Sequence, residues 1–244
     1  MLGGRGFSGN ALKLIAAFCM VVDHVGVILL PHLLILRIIG RLAFPIFAFM
    51  IAEGCRYTKS KVRYLLTLFG AGALCQSVLF LYNHSLKMNV LITFSLSVVL
   101  IYALQYFKEA ILAASPRTSR VMGGALVFAA ALLLLGVCGL YVEMDYGAEG
   151  AMLPLFAALL HPPKGTQSTH LHRLDDARLH ALLMLPGLLI LALADGGVQF
   201  YSFLCMPLLL LYSGKRGKWR MKYFFYVFYP AHLLVLQAIA RIIF

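Results

Sequence analysis

Charge is what this sequence has least of. Only 12% of its 244 residues are Asp, Glu, Lys or Arg, 62% are hydrophobic, and the mean hydropathy is +0.89. A soluble domain carries about 25% charged residues, so a water-solvated surface over most of the chain is excluded. Cysteine is also sparse: Cys19, Cys55, Cys75, Cys138 and Cys205 are odd in number and scattered, with no CxxC pair. That excludes a disulfide framework and a thiolate zinc site, and leaves small buried hydrophobes. There is no phosphate loop, GxSxG elbow, HExxH or GxGxxG following a strand, which removes the common nucleotide-binding, hydrolase and metalloprotease classes. No internal repeat, low-complexity stretch or linker is present, so residues 1–244 are expected to form a single domain.

What is present is a series of apolar runs near the length that crosses a hydrocarbon layer of about 30 Å. They predict an all-α fold, a polytopic transmembrane helical bundle of about nine spans: residues 11–30, 33–54, 63–82, 89–107, 121–141, 148–161, 178–195, 197–212 and 222–243. The first run is too long for a secretory h-region and has no small-residue cleavage site, so a retained helix is expected. The sixth is short, and only Asp195, Gly196 and Gly197 join the seventh to the eighth.

Loop charge predicts orientation. One side receives 17 of the 21 basic residues: Arg5, Lys13, Arg56, Lys59, Lys61, Arg63, Lys108, Arg117, Arg120, Lys164, Arg173, Arg178, Lys215, Arg216, Lys218, Arg220 and Lys222. The other side has Lys87 and Arg241 with Glu143, Asp145, Glu149 and Asp195. By the positive-inside rule the N-terminus is expected in the cytoplasm. The net charge of +12 is then a topology signal, and no nucleic-acid partner is expected.

Ionisable residues within spans are costly and mark function. They are Asp23 and His24 in the first span, Arg37, Arg41 and Glu53 in the second, and His232 in the last. At about 1.5 Å of rise per residue, Asp23 lies roughly 18 Å from the cytoplasmic end of its span and Arg41 roughly 12 Å below the outer surface. Those depths coincide in a core of about 30 Å. Only Pro31 and His32 separate the two spans, so the helices are expected to pack antiparallel with Asp23 meeting Arg41. Arg37, four residues before Arg41, shares its face. His24 points about 100° away from Asp23 and is expected to face a cavity. An Asp–Arg pair can also serve only to fix helix register, and a membrane histidine can be a hydrogen-bonded packing residue. Glu53 is expected to form a membrane-edge ion pair with Arg56. His170, His172 and His180 in THLHRLDDARLH have no closing ligand pattern; a solvated loop is expected there, and no metal.

Five segments, FSGNALKLIAAFCMVVDHVG, LRIIGRLAFPIFAFMIAEGCRYTKS, NVLITFSL, DYGAEGAML and LYSGKRGKWRMKYFFYVFYPAHLLVL, resemble the TraX family of bacterial integral membrane proteins, in order from residue 7 to about 237. The resemblance implies an acetyltransferase of the bacterial cytoplasmic membrane that moves an acetyl group from cytosolic acetyl-CoA to an external or membrane-associated acceptor. The acceptor would be the N-terminal amine of a pilin or a hydroxyl of an envelope glycan. The family is also distantly similar to multispan membrane acyltransferases.

Acetyl-CoA is polyanionic, and Arg56, Lys59, Lys215, Arg216, Lys218 and Lys222 are the basic side chains expected to bind it; positive-inside selection and anionic lipids favour the same residues. Trp219 could stack on adenine or anchor the interface. For the chemistry, His24 is the expected general base, Arg37 and Arg41, held by Asp23, the oxyanion stabilisers, and His232 a second proton-handling or acyl-orienting group. Direct transfer and an acetyl-histidine relay both remain open. A proton-coupled transporter or flippase and a non-catalytic pilus or envelope assembly factor are the alternatives, since intramembrane Asp, Arg and His serve those roles as well.

Overall fold

In an apolar medium every backbone N–H and C=O must find its partner within the protein, and a helix satisfies both along its own segment. The computed structural model describes residues 6–113, 115–163, 174–218, 221 and 224–243, and those residues contain helices and turns but no β-strand. The α-helices are α1 (Gly9–Ile28), α2 (Leu34–Gly40), α3 (Ala43–Tyr57), α4 (Lys61–Asn83), α5 (Val90–Ile111), α6 (Thr118–Tyr141), α7 (Gly147–Ala158), α8 (Ala177–Leu182), α9 (Met184–Asp195), α10 (Met206–Leu210) and α11 (Phe224–Ile243), with a 3₁₀ segment at Gly197–Cys205.

Among the described residues, seven stretches are long and apolar enough to cross a membrane: Gly9–Ile28, Leu34–Tyr57, Lys61–Leu81, Val90–Ile111, Thr118–Tyr141, Ala177–Asp195 and Phe224–Ile243. Large apolar side chains face outward from them, Phe18 at 67% and Leu133 at 70% exposure among others, an arrangement lipid accepts and water penalises. Two of the nine expected spans take another form. The sixth is α7, 12 residues and about 18 Å of helix, and the eighth is the 3₁₀ segment followed by the five-residue α10.

The chain forms two compact units, Met1–Met50 with Leu188–Phe244, and Ile51–Gly187. In the first, Ser8 caps α1 by accepting from the Ala11 amide at 3.2 Å. The next two orphan amides of α1 are taken by the chain itself: Gly9 N donates to Lys215 O at 2.8 Å and Asn10 N to Arg216 O at 2.9 Å. A tight turn returns the chain into α2, which packs on α1, as does α11. Small residues permit the α1–α2 approach. A Cβ on Gly26 would come within 2.8 Å of the Leu36 Cβ, and one on Gly40 would overlap the Asp23 carboxylate. The break between α2 and α3 at Arg41 and Leu42 follows from Pro45, which lacks the N–H that would bond the Arg41 carbonyl and whose ring crowds it.

In the second unit α4 and α5 form a hairpin whose turn is held by Asn89. Its side chain accepts from Leu91 N at 3.1 Å and donates to Gly72 O at 2.8 Å. Helices α6 and α7 pack on α5, and α8 on α7. Fully buried Ser97 donates to Ala151 O at 2.7 Å, tying α5 to α7.

Candidate active site

The first unit gathers five of the expected residues at two neighbouring positions of α1. Asp23 is 8% exposed and Arg41 8%. The Arg41 Nη2 donates to both carboxylate oxygens at 2.9 Å, and Arg37 Nη1 lies 2.8 Å from Oδ2. Charge-assisted bonds of this kind are the strong ones. One carboxylate stands against two guanidiniums, so the group carries one positive charge in excess.

The two arginines are not equivalent. Arg41 also donates through Nη1 to Gln199 Oε1 at 3.1 Å, and its side chain is 10% exposed against 27% for Arg37. Arg41 is thus held on two sides, while Arg37 is the guanidinium with access to a reactant. Gln199 reaches Arg41 because Gly196 and Gly197, both at positive φ (66° and 49°), end α9 and start the 3₁₀ segment. Gln199 was not singled out in the sequence; the signal was a polar residue directly after a Gly-Gly pair within an apolar stretch.

His24, on the next residue of α1, turns to α11. Its Nδ1 is 2.8 Å from Met20 O, and His232 Nδ1 is 2.9 Å from Phe228 O. A carbonyl only accepts, so both contacts assign the proton to Nδ1 of each neutral ring. His232 Nε2 lies 3.1 Å from His24 Nδ1, where it accepts a share of the His24 proton. The lone pair of neutral His24 is therefore on Nε2. Phe228 stacks on His232 with centroids 5.3 Å apart at 15°, and Tyr229 packs on it at 5.7 Å. An imidazole that accepts from another in this way orients it and stabilises its protonated form, the part a carboxylate plays in a serine protease triad.

The basic residues expected to hold acetyl-CoA divide between the units. Lys215, Arg216 and Lys218 are exposed in the first, on the segment whose carbonyls cap α1. In the second, Lys59 is exposed, whereas Arg56 donates to Asp175 and lies 3.7 Å from Glu53 Oε1. The Arg56 guanidinium is thus engaged within the protein. Lys222 and Trp219 lie outside the described residues, as do His170 and His172. His180, expected in a solvated loop, is fully buried in α8.

Residues 8–240 match the family described as TraX protein. The chain is 27% identical over 256 aligned residues to a probable fimbrial assembly protein FimC, serogroup H1, of Dichelobacter nodosus, with 94% of each chain covered. It is 37% identical over 103 residues to the uncharacterized protein RP591 of Rickettsia prowazekii (strain Madrid E), covering 42% of this chain and 38% of that relative. No solved structure matches it. With an intramembrane Asp–Arg–His arrangement in a helical membrane protein and a family match over nearly its whole length, the chain belongs to the TraX family.

Proposed function

We propose that this protein is an acetyltransferase of the bacterial cytoplasmic membrane, with its N-terminus in the cytoplasm, that transfers the acetyl group of acetyl-CoA to an acceptor at the outer face of the membrane or within it. The acceptor class is the N-terminal amine of a pilin or a hydroxyl of an envelope glycan. The observation that carries this reading is the His24–His232 pair beside the Asp23–Arg37–Arg41 cluster, in a chain similar over 94% of its length to a probable fimbrial assembly protein.

His24 Nε2 takes the proton from the acceptor nitrogen or oxygen as that atom attacks the thioester carbonyl carbon. His232 Nε2 takes a stronger hydrogen bond from Nδ1–H of the resulting imidazolium. The tetrahedral oxyanion is met by Arg37 and by the excess positive charge of the cluster, in surroundings where such a charge acts at full strength. The carbon–sulfur bond then breaks, and the departing CoA sulfur receives the proton that His24 carried. Both nitrogens of His232 face partners in the resting arrangement, which favours direct transfer over an acetyl-His232 intermediate. Exposed Lys215, Arg216 and Lys218 provide cations for the donor's phosphates.

The reading is tested by reconstituting the purified protein in vesicles with radiolabelled acetyl-CoA and an amine or glycan acceptor. Label transfer with release of CoA is expected, falling to background in His24→Ala. Wild-type protein that neither binds acetyl-CoA nor transfers label would sink it. The name of the Dichelobacter relative supports a second reading, a non-catalytic assembly factor; full restoration of surface pili in a deletion strain by His24→Ala would favour that one.

A further inference from the structure

The second unit holds a separate cluster of ionisable side chains that acetyl transfer does not use. Glu53 in α3 is 4% exposed, His161, three residues beyond α7, 1%, and His180 in α8 is fully buried. One potential ligand atom from each residue lies within 4.8 Å of the other two. His161 Nε2 is 3.5 Å from Glu53 Oε1, and the imidazoles meet edge to face with centroids 4.4 Å apart. On the other side of His180, Asp175 Oδ1 is 3.6 Å from Nε2, while its second oxygen accepts from Arg56. Lys108 Nζ donates to the carbonyls of Leu159 at 2.8 Å and His161 at 2.6 Å, fixing the turn that carries His161.

Buried imidazole nitrogens are nearly always hydrogen-bonded, because an unpaired one keeps the whole cost of leaving water. Here all four ring nitrogens of His161 and His180 have no hydrogen-bond partner among the described residues. Nitrogens grouped around a carboxylate in this way suit a cation that takes a lone pair from each ring and an oxygen from the acid. Zinc-to-nitrogen and zinc-to-oxygen bonds of about 2.0–2.2 Å need ligand atoms somewhat closer together than 4.8 Å, so the three side chains would draw inward around the ion. The cluster also holds the charge a cation needs: the Glu53 and Asp175 carboxylates stand beside the Arg56 guanidinium, while the Lys108 ammonium is taken up by the Leu159 and His161 carbonyls. Two histidines with one glutamate are a ligand set of zinc centres that have three protein ligands and leave the fourth position to water or a substrate. Asp175 stands where a carboxylate commonly orients a ligating histidine.

We propose that Glu53, His161 and His180 form a binding site for a divalent transition-metal ion, zinc by ligand type, with Asp175 orienting His180. The test uses the full chain in detergent, stripped with a chelator and titrated with Co²⁺ as a visible reporter. About one equivalent should bind with ligand-field bands of a low-symmetry nitrogen and oxygen site, and Zn²⁺ should displace it. Glu53→Gln, His161→Asn and His180→Asn should each weaken binding about 100-fold or more, and Asp175→Asn about 10-fold. His84→Gln, an exposed histidine, should leave it unchanged. Should His180→Asn fail to elute as a single species, His180→Cys keeps a ligand and should add a thiolate-to-cobalt charge-transfer band. Absence of bands from the stripped wild type at micromolar Co²⁺, unaltered binding in His161→Asn, or no charge-transfer band in a monodisperse His180→Cys would each overturn the proposal.

Discussion

Removal of the Asp23 carboxylate would leave two guanidiniums side by side in an apolar medium. Asp23→Ala should therefore destabilise the protein by about 3–5 kcal/mol, measurable as a lowered unfolding midpoint in mixed detergent, with Asp23→Asn milder because its amide oxygen still accepts. Arg37 and Arg41 should separate by readout. Arg41→Gln breaks the bonds to both Asp23 and Gln199 and should lower stability, whereas Arg37→Gln should mainly lower the rate of transfer. His232→Gln should reduce transfer by about 10²-fold, the order of general-base assistance, with the unfolding midpoint changed little. The Asp23–Arg41 pair was legible in the sequence because helix rise and a two-residue connection set both depths. The His24–His232 contact was not, since nothing in the local pattern sets the rotation of a helix 208 residues away. The Glu53, His161 and His180 cluster escaped for the same reason: its members are far apart in the chain, and the described part of the THLHRLDDARLH pattern brings His180 to it with Asp175 alongside.

At the scale of the helix, the interruption between α2 and α3 puts Arg41 at the start of a break that Pro45 causes. Pro45→Ala restores an amide to the Arg41 carbonyl and should join the two helices into one continuous rod. Transfer should fall about 10-fold or more through misplacement of the guanidinium, while thermal stability holds or rises. The α1–α2 contact makes a complementary demand on small residues. Gly40→Ala drives a methyl into the Asp23 carboxylate and should cost about 1–3 kcal/mol, whereas Gly136→Ala, with open space around it, should stay within about 0.5 kcal/mol. Most helices were legible as apolar runs of the right length. Residues 148–161 and 197–212 show the limit of that signal, because hydropathy records how apolar a stretch is and leaves its length in space to turns, prolines and glycines. Pro154 sits inside the short α7, and Gly196 and Gly197 lead into the 3₁₀ segment.

At the scale of the molecule, the boundaries of the two units fall within the sequences of α3 and α9. Composition carries the membrane fold, because sparse charge leaves few other ways to satisfy the backbone. It is silent on which helices group together, since that depends on contacts between the first 50 residues and the last 57, which side-chain chemistry alone does not rank. The seal on the leading end of α1 belongs to this grouping. Ser213, 206 positions away, donates to the Phe7 carbonyl through both its amide and its hydroxyl, the Phe7 amide donates to Leu211 O, and the Lys215 and Arg216 carbonyls close the Gly9 and Asn10 amides. During synthesis these amides emerge long before their partners exist. Until the ribosome has delivered the stretch around residue 215, water or lipid headgroups must occupy them, so α1, made ahead of α2 to α11, is among the last of these helices to be completed, and its closure is a late checkpoint in biogenesis.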